Sequence, residues 1–181
     1  MKYVIVTHVD ADTKVPCTVA PMSTGPSFPE LAGLNIVFND HSRWPLSIYD
    51  GIYDKPPHFY GTCDDAADTT LAGVLGVITE TEFNTAKSDE DFAVTTRRLS
   101  YQVQDKLNRF AIERQYDDIL SACSYSTSTN AQFAADATRC IELRDATWVA
   151  VNAVFAAAKI GSRTLPQTFA ELLPELPALT W

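Results

Sequence analysis

Apolar and polar positions follow two different rhythms along this chain, and the change between them falls near residue 78. Before it, apolar residues come in short runs, Tyr3-Val4-Ile5-Val6 and Leu34-Asn35-Ile36-Val37-Phe38, between clusters of Pro, Gly and Asp. Seven of the ten prolines precede residue 60. Short runs between breakers predict short β-strands in an otherwise irregular module, residues 1–78. Within it Asp54-Lys55-Pro56-Pro57-His58 must be extended or turned, because each proline fixes its own φ and biases the preceding residue away from the helical region.

Beyond residue 78 the spacing becomes helical. Thr79 and Glu82 fit a capping box, in which the threonine oxygen accepts from a free backbone N–H and the glutamate reaches back to the cap. A short helix is expected over about 80–87. Ser88-Asp89-Glu90-Asp91 reads as a second start, since a helix dipole favours negative charge in a first turn, so residues 79–98 form a short helix and a connector. Leu99, Val103, Leu107 and Phe110 recur on one face and predict a long amphipathic helix over about 95–113. Gln115, Tyr116 and Asp117 break that pattern, and Ile119, Leu120 and Cys123 resume it before a polar loop.

The clearest periodicity runs from Ala131 to Ile160, a stretch without proline or glycine. Ala137, Ile141, Arg144, Trp148, Val151, Phe155 and Ala158 alternate spacings of four and three, the mark of one helical face. About 30 helical residues span ~45 Å. With only the 95–123 region as an antiparallel partner, part of that length is left without cover, and Val149, Ala153, Ala156 and Ala157 are the expected uncovered residues. Trp148 is expected against Leu99, Val103, Leu107 and Phe110. Gly161 has the place of a left-handed C-terminal cap, and Thr168 with Glu171 opens a closing helix over about 169–174 whose Leu172, Leu173 and Leu176 need a surface to cover. The fold class expected is therefore α+β: a β-rich module (1–78), then a helical hairpin module (99–181) with a short closing helix.

Composition narrows the function classes. The chain has 181 residues, 46% of them apolar, enough for one compact domain or two small ones. Fourteen basic residues against 23 acidic ones leave a net charge of −9, which repels phosphate backbones and argues against nucleic-acid binding. No apolar run has the length of a membrane span, and Asp10 comes too early for a secretory leader. A soluble protein made in a cytoplasm is expected. Cys17, Cys63, Cys123 and Cys140 include no Cys-x-x-Cys, so neither a zinc knuckle nor a redox dithiol is written here.

Few residues suggest chemistry. Asp10 and Asp12 after a strand-like run resemble the start of a haloacid-dehalogenase phosphatase motif, in which one carboxylate attacks phosphorus, another moves a proton and Mg²⁺ neutralises charge. Pro16, Pro21, Pro26 and Pro29 follow where that fold needs a helix, so a metal-dependent hydrolase ranks third among the readings. Asp64, Asp65 and Asp68 are expected to be solvated turn carboxylates rather than a cation site, and neither His8, His41 and His58 nor a Cys17 or Cys63 dyad has supporting local spacing. No cofactor or metal is expected. Arg144 sits within an apolar stripe and must be paired or reach outward, because burying it alone costs several kcal/mol; Asp117 and Asp118 are the expected partners of a structural ion pair.

One series of motifs resembles a known module. Arg114-Gln-Tyr-Asp-Asp-Ile-Leu-Ser-Ala-Cys-Ser-Tyr, then Leu143-Arg-Asp-Ala-Thr-Trp148, then Leu165-Pro-Gln-Thr-Phe-Ala-Glu-Leu-Leu-Pro-Glu-Leu-Pro is similar in order and spacing to a helical module of tailed-bacteriophage tail and tail-fibre proteins. That module usually carries RGYDSILSA, WRDAVW and P-T-EELIAELP phrases. The resemblance covers about residues 100–181, with Gln115 in place of the usual glycine and Leu143 in place of the usual tryptophan. It implies a virion protein of the tail, baseplate or fibre-attachment region, made in the host cytoplasm and contacting other tail subunits or copies of itself. A non-virion fibre-assembly chaperone is the alternative.

Overall fold

The computed structural model describes residues 1–9, 27–37 and 59–181. Asp10, Asp12, Cys17, His41, His58 and the 54–58 segment lie outside the described residues. The chain divides into two compact units, Met1–Ser88 and Asp89–Trp181. The layout is α+β, with an antiparallel sheet followed by helices.

Among its described residues the first unit has four strands, β1 (Lys2–Val6), β2 (Asn35–Ile36), β3 (Phe59–Cys63) and β4 (Val74–Ile78), ordered β2-β3-β1-β4 with every pair antiparallel. Period-two alternation decides which side chains go in: Val4 and Val6 of β1, and Phe59 and Cys63 of β3, point to one face, where Leu31 and Ala67 close a small core. The β1–β4 register shifts between Ile5 and Val6. Just before β4, Gly73 takes φ +88°, and a Cβ there would lie 2.4 Å from Val9 Cγ1, so only glycine makes this approach. The sequence correctly located β1 and β2, although β2 is regular over only two residues.

The helices are α1 (Glu80–Ile112), α2 (Ile119–Ser124), α3 (Ala131–Lys159) and α4 (Phe169–Leu172). The capping box at Thr79 forms in both directions: the Glu82 N–H donates to Thr79 Oγ1 at 3.2 Å, and the Thr79 N–H donates to the Glu82 carboxylate at 2.8 Å. The short helix and connector expected over 79–98 are not separate elements. Instead α1 continues through Ser88-Asp89-Glu90-Asp91 without a break for 33 residues. No proline or glycine interrupts the segment, and acidic residues in a helix interior are tolerated where they face water. Asp89 also gains the Lys159 ammonium as a partner.

Helix α1 ends in a Schellman motif. The Tyr116 N–H bonds to the Ala111 carbonyl at 3.4 Å and the Gln115 N–H to the Ile112 carbonyl at 2.9 Å, with Gln115 at φ 67°. α3 starts at Asn130, whose side chain accepts from the Gln132 and Phe133 N–H groups, and ends in the same motif around Gly161 at φ +73°. At α4 the Glu171 N–H donates to Thr168 Oγ1, while the Glu171 carboxylate accepts from Gln167, one residue before the cap.

Two ion pairs fix the direction of α3 against the second-unit part of α1. Asp89 meets Lys159 at one end, and Arg114, just past α1, meets Asp136 at the other at 3.0 Å. The helices therefore run antiparallel. Between these pairs, Leu99, Val103, Leu107 and Phe110 of α1 join Cys140, Leu143, Val151 and Val154 of α3 in one core, closed by Ile119 of α2 and by Leu172 and Leu176. Leu173 is exposed instead.

Candidate functional site

Helix α3 has two apolar faces, and its inward one is not the one that the spacing suggested. Buried are Asp136, Ala137, Cys140, Leu143, Thr147, Val151 and Val154. Ile141, Trp148 and Phe155 are half-buried, packed on the edge of the core rather than within it. Trp148 was expected inside, and its position is a correction of about a third of a turn. Thr147 occupies the interior instead, where its hydroxyl donates to the Leu143 carbonyl at 2.7 Å and so carries no unpaired polar group inward.

Arg144 does not pair with Asp117 or Asp118. Its guanidinium binds the adjacent Asp145 through both Nε and Nη2, at 3.0 and 2.8 Å. Asp118 is the N-cap of α2, accepting from the Ser121 N–H at 2.7 Å, and Asp117 is exposed. A rotation of the inward face places Arg144 at its margin, where the guanidinium reaches outward, so the core needs no remote counter-charge. The ion pair that does reach between helices was not anticipated. The Asp136 carboxylate accepts from Arg114 Nη1 at 3.0 Å, Tyr116 Oη at 3.2 Å and Gln132 Nε2 at 2.8 Å. The Arg114 guanidinium also lies over the Trp181 ring, which stacks on Phe110 with centroids 4.1 Å apart. A buried carboxylate with three donors is well satisfied, and it fixes the start of α3 against the end of α1.

The outward face of α3 carries Val149, Ala153 and Ala156, all three exposed, whereas Ala157 is half-buried on the flank. The reason for their exposure differs from the one expected. α1 is long enough to accompany α3, and these residues are uncovered because they lie on the side turned away from it. Ala146 and Ile160 extend the exposed row at the same spacing. Their signal was present in the sequence as a 3,4,3,4 repeat, masked by the stronger apolar residues of the inward side. A second surface feature is a groove of about 440 Å³ beside α1, lined by Lys106, Arg109, Phe110, Phe169, Leu173 and Leu179 among others. Three of its charged residues are engaged within the chain: Asp105 pairs with Arg109 at 2.8 Å, and Glu113 accepts from the Trp181 indole N–H at 3.2 Å.

The remaining candidates are occupied by local structure. Asp65 pairs with the Met1 ammonium, and Asp68 accepts from the Thr70 N–H and hydroxyl, contacts that hold both carboxyls below their ordinary range. His8 is buried between Phe28 and Phe59, with ring centroids 4.3 and 4.8 Å away. Burial raises the thiols of Cys63, Cys123 and Cys140, the last to about 11. A thiol held neutral in this way is a poor nucleophile. Among the described residues no three His, Cys, Asp or Glu side chains gather as a metal-holding group, and no helix is long and apolar enough to cross a membrane.

No family model, no curated protein and no solved structure matches this chain.

Proposed function

We propose that the chain is a structural component of a tailed-bacteriophage virion, in the tail, baseplate or fibre-attachment region, and that it works through protein contacts rather than catalysis. The virion setting rests on the ordered resemblance of the Arg114, Leu143 and Leu165 phrases to tail modules. The assembly role rests on one observation, the uncovered apolar row Val149, Ala153 and Ala156 on a helix whose opposite side is fully engaged. Exposed apolar surface of this kind marks interaction sites more often than it marks nothing. Its partners in this reading are other tail subunits or further copies of the same chain, with no nucleic acid and no cofactor involved.

Mass spectrometry of purified particles tests the setting. Stoichiometric copies of the chain are expected; absence from particles together with presence in infected cells would assign it to the transient assembly factors instead. Ala153→Glu tests the surface. An exposed helical glutamate costs only a few tenths of a kcal/mol in fold stability, yet a charge placed in a contact without a partner opposes association. The variant is expected to fold and to fail incorporation. Normal yields of infectious particles would defeat the assembly reading.

A further inference from the structure

The exposed row on α3 is longer and more regular than an assembly surface strictly needs. Ala146, Val149, Ala153, Ala156 and Ile160 are separated by three, four, three and four residues, the a/d repeat of a two-helix seam. The two larger members are among the most exposed apolar residues of the described chain, Val149 at 70% and Ile160 at 81%. From residue 145 to residue 160 there are two charges only, Asp145 and Lys159. They are 14 residues apart, two heptads, and so stand on the same flank of the seam at opposite ends. Both are exposed.

This arrangement discriminates among partners. With a net charge of −9, two copies of the chain repel each other over most of their surface. The stretch from 145 to 160 adds nothing to that repulsion, because its charges sum to zero. If two such faces met in parallel, the flank bearing Asp145 and Lys159 would face the partner's opposite flank, where Ala150 and Ala157 offer no charge. If they meet antiparallel, each Asp145 lies beside the Lys159 of the other copy, since corresponding flanks face each other across an antiparallel seam. The same register brings Ala146 opposite Ala156 and Val149 opposite Ala153, twice each by symmetry. Each of these four layers contains an alanine, so the helices approach closely through the middle of the contact and no two branched residues collide. Ile160 falls against the aliphatic stem of Glu142.

We propose that the outer face of α3 binds the same face of a second copy, antiparallel about a two-fold axis, with Asp145 and Lys159 pairing across both edges. The proposal rests on reading this face as an assembly surface and goes further by naming what covers it. Asp145 already binds Arg144 and Lys159 already binds Asp89 within the chain. An ammonium has three donors and a carboxylate two acceptor oxygens, so each can take a second partner from the other copy. The contact is isologous, so it closes at two copies and leaves the rest of each chain available to other subunits.

Sedimentation equilibrium of the full-length purified chain tests this, from about 10 µM to about 500 µM, the span in which contacts at the small end of the interface range dissociate. A monomer–dimer equilibrium is expected. Ala153→Glu should give a monomer throughout. Asp145→Lys and Lys159→Asp should each weaken the dimer about tenfold or more, because each replaces two attractions by two repulsions. The double variant Asp145→Lys/Lys159→Asp should restore the dimer to within about threefold of wild type, since the pairs re-form with their signs exchanged. Circular dichroism of each variant confirms that it remains folded, and Val149→Asn serves as a second disrupting variant should one of the charge reversals not fold. A chain that is monomeric at every concentration overturns the proposal, as does a dimer indifferent to Ala153→Glu and Val149→Asn or a charge exchange that fails to restore association. None of these outcomes touches the particle mass spectrometry, so a virion protein that is not a dimer remains distinguishable from a dimer that is not a virion protein.

Discussion

Gln115 adopts φ 67° at the C′ position of a Schellman motif, a conformation that costs a side chain with a Cβ about 1–2 kcal/mol and glycine nothing. Gln115→Gly is expected to raise stability by about 0.5–1 kcal/mol after the greater freedom of glycine in the unfolded chain is subtracted, read as a higher urea midpoint with an unchanged slope. Cys140 gives a prediction of opposite character. Burial, with the nearby Cys123 and Asp136 adding to it, raises its thiol from an ordinary 9.0 to about 11. A group whose folded pKa lies above its unfolded one contributes its full stabilisation below pH 9, loses it as pH rises and contributes nothing above about 11. Stability should therefore fall across that window, and the difference between wild type and Cys140→Ala, which has no thiol to ionise, should isolate the part due to this residue.

The helices depend on local signals of about three residues' reach, joined to contacts of much longer reach. Removing the cap of α1 with Thr79→Ala should cost about 1 kcal/mol, measured by urea unfolding. The Glu82 carboxyl is held below its ordinary range by the Thr79 N–H and then by the Thr79 hydroxyl. A lowered carboxyl stabilises the fold above its unfolded pKa, and the contribution disappears as pH falls through the folded value. Glu82→Gln should remove that part of the acid dependence. At the far end of α1, Asp136→Ala should cost about 2–4 kcal/mol, because Arg114, Tyr116 and Gln132 lose a shared acceptor and a half-covered guanidinium loses its counter-charge. Trp148→Ala should cost less than the ~3–5 kcal/mol of a fully buried aromatic, since its ring only edges the core. A change in stability for Asp136→Ala of under about 0.5 kcal/mol would mean that the network does not hold the helix pair.

Among the described residues there are two cores, one under the sheet and one between α1 and α3, and the latter gathers more of their buried side chains. Native-state hydrogen exchange should be slowest at amides around Leu99–Phe110 and Cys140–Val154, and faster along β4, which among the described residues is an edge strand with Leu75 and Val77 exposed. The acidic turn after β3 makes its contacts within the first unit, where Asp65 meets the Met1 ammonium and Asp68 meets Thr70. Micromolar calcium should accordingly leave the melting temperature unchanged, whereas a cation that bound only the native state would raise it.

Element ends were legible because their causes are local. A threonine or asparagine oxygen and a backbone N–H two or three residues on, or a glycine that alone tolerates positive φ, are fixed by neighbours in the chain, so Thr79, Thr168 and Gly161 could be placed by inspection. The α1 face of Leu99, Val103, Leu107 and Phe110 was legible for a related reason: the residues beside it are mostly polar, leaving one way to turn the helix. α3 offers no such contrast. Apolar residues surround much of its circumference, and each residue advances the helix by about 100°, so several faces satisfy the same period. Packing against α1 selected the one that buries Leu143 and Thr147, set Arg144 and Trp148 at its margin, and left Val149 and Ala153 outside. The same packing carried α1 unbroken past its acidic run and matched Asp136 to Arg114 and Asp89 to Lys159, 22 and 70 residues apart. Those pairings are properties of which surfaces meet, and no local spacing contains them.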